Sequence, residues 1–152
     1  MRNPTPAPIR PAALALLGGP GVVRYSEGAH SDESTPWGQS FRLKYVAVEN
    51  LGRFLDESAG RLMHLIEANE RTAQRRREQG MLSHEESDRI ARIARVVRRA
   101  MDALGDEARG KAWLKRPNRA LRGFAPLGLL ATDAGAELVT DELGRIEYGD
   151  LY

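Results

Sequence analysis

The stretch that decides the fold is residues 69–86, NERTAQRRREQGMLSHEE. Asn69 belongs to the residue types that cap helices, so it predicts a helix immediately after it. Gly80 ends that helix, because glycine readily adopts the left-handed conformation of a helix C-terminus. Ser83 and Glu86 form a Ser-x-x-Glu capping box, which predicts the start of a longer helix. The stretch therefore predicts two helices separated by a tight loop.

The residues before this stretch predict two shorter helices. Apolar residues recur at three- and four-residue spacing after Val46 and predict one helix; they are Val48, Leu51, Phe54 and Leu55. Ser58 is a candidate cap for a second helix, whose apolar face is Leu62, Leu65 and Ile66. Two short helices joined by a tight turn at Asn69, with a longer helix following, are typical of a helix-turn-helix.

The helix that follows Asn69 is the candidate DNA-reading element. Arginine can form a bidentate contact with guanine and glutamine can pair with adenine, while neighbouring arginines suit phosphates. The candidate DNA-binding residues are Arg71, Thr72, Gln74, Arg75, Arg76 and Arg77. The alternative is that this arginine-rich face is only solvated, because charged helix surfaces are common. Glu70 and Glu78 favour that alternative, since each repels phosphate.

Composition excludes several classes of protein. The chain of 152 residues has no cysteine, which excludes disulfides and thiol catalysis and is compatible with a reducing cytoplasm. No apolar run approaches the ~20 residues that span a bilayer, so we expect a cytoplasmic protein without a membrane partner. The three histidines, His30, His64 and His84, share no ligand spacing. We therefore expect no metal site, no cofactor and no enzymatic activity.

The sequence predicts an all-α protein in three parts. Dense prolines and glycines predict a flexible N-terminal arm over residues 1–43, with room for a short helix at residues 12–17. Residues 44–104 form the helix-turn-helix domain. Residues 105–152 form a C-terminal domain, with short helices over residues 106–114, from Pro126, and over residues 134–143.

Charge is distributed unevenly along the chain. Residues 61–99 carry ten arginines against six acidic residues, whereas residues 133–152 carry six acidic residues against one arginine. A basic middle and an acidic end indicate two partners, one anionic and one that presents basic groups.

The C-terminal domain carries residues that fix the shape of a helical platform. Proline restricts the residue before it, and glycine permits conformations closed to other residues. The candidate platform residues are Trp113, Pro117, Leu121, Gly123, Pro126 and Leu127. The plain interpretation is that their side chains are core and corners rather than contacts with a partner.

These residues carry a family resemblance. Residues 105–152 resemble the toxin-binding domain of the Xre/MbcA/ParS-type antitoxins, and the middle of the chain resembles the Xre-type helix-turn-helix of the same family. The motifs that carry the resemblance are Gly105-Asp106, Ala112-Trp113-Leu114, Pro117-Asn118, Gly123, Pro126-Leu127, Arg145-Ile146 and Tyr148-Gly149, with Arg71-Thr72, Arg75-Arg76, Leu82-Ser83 and Glu86-Ser87 in the middle. The chain departs from the family at Ala73, where a larger apolar residue is usual.

The resemblance implies a function. Such antitoxins pair with RES-domain toxins, which act on NAD by degrading it or by using it to ADP-ribosylate a protein. The antitoxin is not an enzyme, and its C-terminal region obstructs the toxin's NAD cleft. Many members form homodimers within the toxin–antitoxin complex and repress their own operon through the helix-turn-helix, which makes operator DNA a second expected partner.

On this basis the acidic tail, residues 147–152, becomes the candidate plug for the toxin's active cleft. Asp150 could satisfy donors that otherwise bind phosphate, and Tyr148 or Tyr152 could stack where a ring of the dinucleotide would lie. The candidate toxin-binding residues are Glu147, Tyr148, Gly149, Asp150, Leu151, Tyr152, Asn118 and Arg119. The alternative is a stand-alone transcriptional regulator whose C-terminal domain serves dimerisation.

Overall fold

The computed structural model describes residues 9–25 and 41–149, and this part of the chain is all-α, as predicted. Its helices are α1 Pro11–Leu17, α2 Val46–Leu55, α3 Ala59–Leu65, α4 Glu70–Gln79, α5 His84–Leu104, α6 Glu107–Lys115, α7 Pro126–Leu129 and α8 Asp133–Tyr148. Short 3-10 helices lie at Pro20–Val22 and Arg119–Leu121. None of the described helices is long and apolar enough to cross a membrane.

The described residues also contain a small sheet that the sequence did not predict. Strand β1, Val23–Tyr25, pairs antiparallel with β2, Phe41–Leu43, in a register that sets Val23 opposite Leu43. A single bridge from Lys44 to Met81 extends this pairing to the loop before α5. The sheet therefore ties the N-terminal segment to the helix-turn-helix.

α5 is the central helix of the fold. It runs for 21 residues, and its apolar face is buried. The members of this face are Ile90, Ile93, Ala94, Val97 and Met101. Helices α1, α6 and α8 all pack against α5. One hydrophobic core extends from Ile9 to Leu143, so the helix-turn-helix and the C-terminal domain share it.

The predicted helix caps are confirmed. The Ser58 hydroxyl accepts a hydrogen bond from the Arg61 backbone N–H at 3.0 Å, and the Asn69 side chain accepts one from the Thr72 N–H at 2.8 Å. Ser83 and Glu86 form the reciprocal capping box. Because side chains satisfy the first N–H groups of each helix, these helices begin where the sequence indicated.

The prediction of a flexible arm over residues 1–43 is wrong for residues 9–25. Ile9, Ala13 and Leu17 are buried, and α1 packs between α2 and α5. The Asn50 side chain donates to the Leu17 carbonyl at 3.0 Å, which fixes the end of α1. The four-residue spacing of these apolar side chains outweighs the surrounding prolines. The short helix within this segment is confirmed; residues 1–8 and 26–40 lie outside the described residues.

The C-terminal helices were predicted correctly except for the last one. α6 and α7 begin close to the expected residues, with Pro126 at the first position of α7. α8 extends to Tyr148, so Glu147 and Tyr148 form its last turn rather than a separate tail. An ion pair between Arg99 and Glu147, at 3.4 Å, holds that turn on α5. Gly149 ends α8 in the left-handed conformation.

Candidate functional sites

The outward face of α4 is polar. Arg71, Gln74, Arg75 and Glu78 are all exposed. Arg71 and Arg75 make no hydrogen bond or ion pair with any described residue, so their guanidinium groups are available to a partner. Gln74 donates to Glu78 at 2.9 Å, one turn further along the helix. The face therefore offers two unpaired cations and an amide to an anionic surface.

The remaining candidate DNA-binding residues lie elsewhere on α4. Thr72 is half-buried beside its Asn69 cap, and Arg77 is exposed. Burial raises the pKa of the Tyr45 phenol, which Glu49 raises further and the positive charge of Arg77 lowers. The Arg76 Nε atom donates to both carboxylate oxygens of Glu86, at 3.0 and 2.8 Å. Arg76 is therefore directed toward α5 instead of along the exposed face.

The turn between α3 and α4 contains a residue that the sequence analysis missed. Glu67 has φ of +64°, in the left-handed region that favours glycine. Backbone hydrogen bonds from Glu67 to His64 and from Ala68 to Met63, both 3.0 Å, close the turn. Arg89 of α5 donates to the Ile66 carbonyl at 3.0 Å. These contacts fix the entry to α4 despite the strained conformation.

In the C-terminal domain, Asn118 organises a tight loop. Its side chain accepts a hydrogen bond from the Ala120 N–H at 2.9 Å, and its backbone N–H donates to the Phe124 carbonyl at 3.1 Å. The Gly123 backbone N–H closes the loop by donating to the Asn118 carbonyl at 2.8 Å, and Gly123 has φ of +84°. The side-chain oxygen of Asn118 is thus engaged within the loop, whereas the neighbouring Arg119 is exposed.

The candidate platform residues are divided between core and surface. Leu121, Pro126 and Leu127 are buried, and Trp113 is half-buried against the core. Pro117 is exposed and marks the end of α6. Most of these side chains therefore shape the domain from inside.

Arg92 joins the two halves of the protein, a role that no sequence pattern predicts. From α5 its guanidinium reaches the Leu130 and Ala131 carbonyls at the end of α7, at 3.3 and 3.1 Å. It also pairs with Asp133 in the first turn of α8. One arginine thus connects α5 to the junction of α7 and α8.

Three large apolar side chains of the C-terminal domain face solvent. Tyr148 is 81% exposed, Phe124 is 60% exposed and Leu138 is 57% exposed. Sequence reasoning identified Tyr148 but not the other two, because an isolated Phe or Leu is typical of a core. The predicted tail residues Asp150, Leu151 and Tyr152 lie outside the described residues.

The described residues hold no group of three or more histidine, cysteine, aspartate or glutamate side chains able to bind a metal. His64 is exposed on α3, and the His84 Nδ1 atom lies 2.9 Å from the Phe41 carbonyl. His30 falls in the part of the chain that is not described.

Comparison with known proteins finds two family models that match this chain. Residues 40–95 match the antitoxin Xre-like helix-turn-helix domain, and residues 99–149 match the antitoxin Xre/MbcA/ParS C-terminal toxin-binding domain. The two matched families thus describe a helix-turn-helix domain followed by a domain of the toxin-binding type. The chain belongs to the family of Xre-type antitoxins that carry these two domains.

Curated relatives bear the name Antitoxin Xre. The chain is 41% identical to the one from Yersinia enterocolitica over 76 residues, which cover 49% of this chain and 51% of the relative. It is 42% identical to that of Photorhabdus laumondii over 71 residues, covering 46% and 48%. For that of Pseudomonas putida the identity is 32% over 68 residues, covering 45% and 43%. The chain spans about half the length of the curated relatives it matches.

Proposed function

We propose that the chain is an antitoxin that binds a RES-type, NAD-using toxin and neutralises it by blocking the active cleft with its C-terminal region. The observation that carries this proposal is the end of α8. Tyr148 stands 81% exposed at a helix terminus inside the toxin-binding domain, at the start of the segment 147–152 proposed as the plug. Exposed aromatic side chains at such a position favour contact with a partner protein.

Other exposed residues of the same domain support the same proposal. The exposed Phe124 and Leu138 supply further apolar surface in the domain. Glu137 and Asp141 are exposed on α8, so the domain presents negative charge to a partner with a basic cleft. Asp150 then occupies donors that would otherwise bind the phosphates of NAD, and Tyr148 or Tyr152 covers the site of a dinucleotide ring. The chain acts here by binding rather than by catalysis.

The test removes residues 149–152 and measures toxin inhibition and complex affinity separately. We expect inhibition to be lost while part of the affinity survives through the described surface of the domain. A second variant, Tyr148→Ala, weakens the complex, whereas Tyr25→Ala does not. Tyr25 is the matched control because it is also an exposed tyrosine, 52% exposed, but lies on β1 outside the domain. Unchanged inhibition after the deletion rules out the tail as the plug.

We also propose that α4 binds operator DNA and that the chain, as a homodimer within the toxin–antitoxin complex, represses its own operon. The exposed, unpaired Arg71 and Arg75 support this proposal. Replacing either by Ala is expected to weaken operator binding by ~1–3 kcal/mol, the usual value for a bidentate base contact. A gel shift in which the wild-type chain binds no operator, alone or with its toxin, refutes the repressor role and leaves neutralisation intact.

A stand-alone regulator remains the competing function. Co-expression with the neighbouring reading frame separates the two: an antitoxin co-purifies with a RES-type product and keeps the cells alive, whereas a stand-alone regulator does neither.

A further inference from the structure

Few apolar contacts hold α4 on the protein. None of its ten residues, all of them described, is buried, and Ala73 supplies a partly buried contact with the core. A surface helix in a globular protein usually buries an apolar stripe, and its orientation follows from that stripe. The orientation of α4 therefore depends on contacts of another kind.

The strongest such contact joins α4 to α5. Arg76 Nε donates to both oxygens of Glu86, at 3.0 and 2.8 Å, and the two side chains are only 18% and 10% exposed. Arg76 Nη1 also donates to Gln79 Oε1 at 3.2 Å, which restrains the guanidinium. A charge-assisted, partly desolvated hydrogen bond is both stronger and more directional than an exposed ion pair.

Glu86 is itself fixed. Its Oε2 atom accepts a hydrogen bond from the Ser83 N–H at 2.8 Å, and its own N–H donates to the Ser83 hydroxyl at 3.2 Å. The carboxylate that receives Arg76 is therefore part of the capping box of α5. Because α5 is the most deeply packed helix, the Arg76–Glu86 pair fixes the orientation of α4 relative to the rigid core.

We infer that Arg76 and Glu86 are positioning residues, which set the angle at which α4 presents Arg71 and Arg75 to DNA. Arg76 does not neutralise a phosphate, although its neighbours are cations suited to that role. This inference rests on the DNA-binding half of the proposed function. It assigns adjacent arginines of one helix to different tasks, with Arg76 holding α4 and the exposed Arg77 contacting the DNA backbone.

Operator affinity measured as a function of salt separates the two tasks. Loss of a phosphate contact lowers the magnitude of the negative slope of log K against log salt concentration by about one. We expect this of Arg77→Ala. Arg76→Met is expected to weaken binding about tenfold with the slope unchanged, because fewer molecules hold α4 in the competent orientation. All variants are compared at a temperature at which circular dichroism shows them fully folded.

Substitution of Glu86, the acidic partner of Arg76, is expected to change operator affinity in the direction opposite to that expected from net charge alone. Glu86→Gln keeps a residue that serves in a capping box but removes a negative charge. Removing that charge would by itself favour DNA binding, yet we expect the operator affinity to fall. The matched control is Glu85→Gln, at an exposed neighbouring residue, where we expect affinity to stay the same or rise slightly.

Amide hydrogen exchange measures how firmly α4 is held on the protein in the absence of DNA. In Arg76→Met and Glu86→Gln, the amides of α4 are expected to exchange faster while the buried part of α5 keeps its protection. The inference is overturned if protection of α4 does not change, if Arg76→Met lowers the salt slope as Arg77→Ala does, or if Glu86→Gln binds DNA more tightly. A wild-type chain without operator affinity refutes the DNA-binding half of the proposed function, and exchange alone then decides whether the pair holds α4.

Discussion

α4 and α8 both present a face to a proposed partner, but they are attached to the protein in different ways. α8 has four buried residues among sixteen, namely Gly135, Ala136, Val139 and Leu143. α4 has none among its ten, all of them described, and relies on its caps and on the Arg76–Glu86 pair. The comparison indicates that α8, in the proposed toxin-binding surface, is fixed by packing, whereas α4, the proposed DNA-reading helix, is fixed by polar contacts.

This difference has a consequence for stability. A packed helix shares the free energy of unfolding of the whole core, so weakening it weakens the whole protein. A helix held by polar contacts can loosen locally while the core stays folded. Substitutions in α8 should therefore act on global stability, and substitutions in α4 mainly on the order of that helix.

The largest expected effect is that of Gly135→Ala in α8. A Cβ atom at this position would lie 1.9 Å from the Leu129 carbonyl oxygen, so α8 must move away from α7. We expect a loss of ~3 kcal/mol in the free energy of unfolding, as for severe overpacking. Urea denaturation measures it. Gly128→Ala is the control, since no atom lies within 4 Å of its added Cβ; equal stability of the two variants would contradict the packing.

Arg92→Ala should cost less, about 1–2 kcal/mol, because it removes charge-assisted hydrogen bonds to the end of α7 and to Asp133. Thermal unfolding of the full chain measures this loss. Arg98→Ala is the matched substitution on the same helix: its pair with Asp102 is exposed and should contribute little. A loss as small for Arg92 as for Arg98 would show that Arg92 does not couple the two domains.

The cap of α4 tests the other side of the comparison. Asn69→Ala removes the hydrogen bond to the Thr72 N–H and should cost about 1 kcal/mol. Hydrogen exchange should locate the loosening in α4. Thr132→Ala removes the equivalent cap of α8, whose hydroxyl accepts from the Gly135 N–H at 3.0 Å. For Thr132→Ala we expect a similar loss of stability, with faster hydrogen exchange in the shared core as well as in α8. Faster exchange confined to α8 would contradict the comparison.

The smallest effect is expected in the turn before α4. Glu67→Gly should raise the free energy of unfolding by about 0.5 kcal/mol, because relief of the left-handed conformation slightly exceeds the entropy cost of glycine. Glu67→Gln keeps the strain and removes the charge, so it should leave stability unchanged. Stabilisation by Gln as well would assign the effect to charge instead of backbone conformation.

The caps were predictable because they depend on local residue types. Asn69, Ser83 and Gly80 each satisfy or terminate the backbone of the helix next to them, so four or five residues of sequence contain the signal. The buried position of α1 also had a signal, the apolar residues Ile9, Ala13 and Leu17, which the nearby prolines obscured. The extension of α8 to Tyr148 lies beyond Leu143, its last buried residue, so the apolar pattern did not contain it.

The roles of the arginines could not be predicted, for a physical reason. Arg75, Arg76 and Arg92 are alike in sequence, each on a helix rich in cations. Arg75 is exposed, Arg76 pairs with Glu86 in the capping box of α5, and Arg92 contacts both the end of α7 and Asp133. Which role an arginine takes depends on where another helix places its acceptors, and that is a property of the tertiary fold.

The most direct test of the account is to titrate two variants against both proposed partners. We predict that the double variant Arg71→Ala/Arg75→Ala loses operator binding and still inhibits the toxin, whereas removal of residues 149–152 abolishes inhibition and leaves operator binding intact. Loss of both activities in either folded variant, or of neither activity in both, would contradict the assignment of DNA binding to α4 and toxin binding to the C-terminal domain.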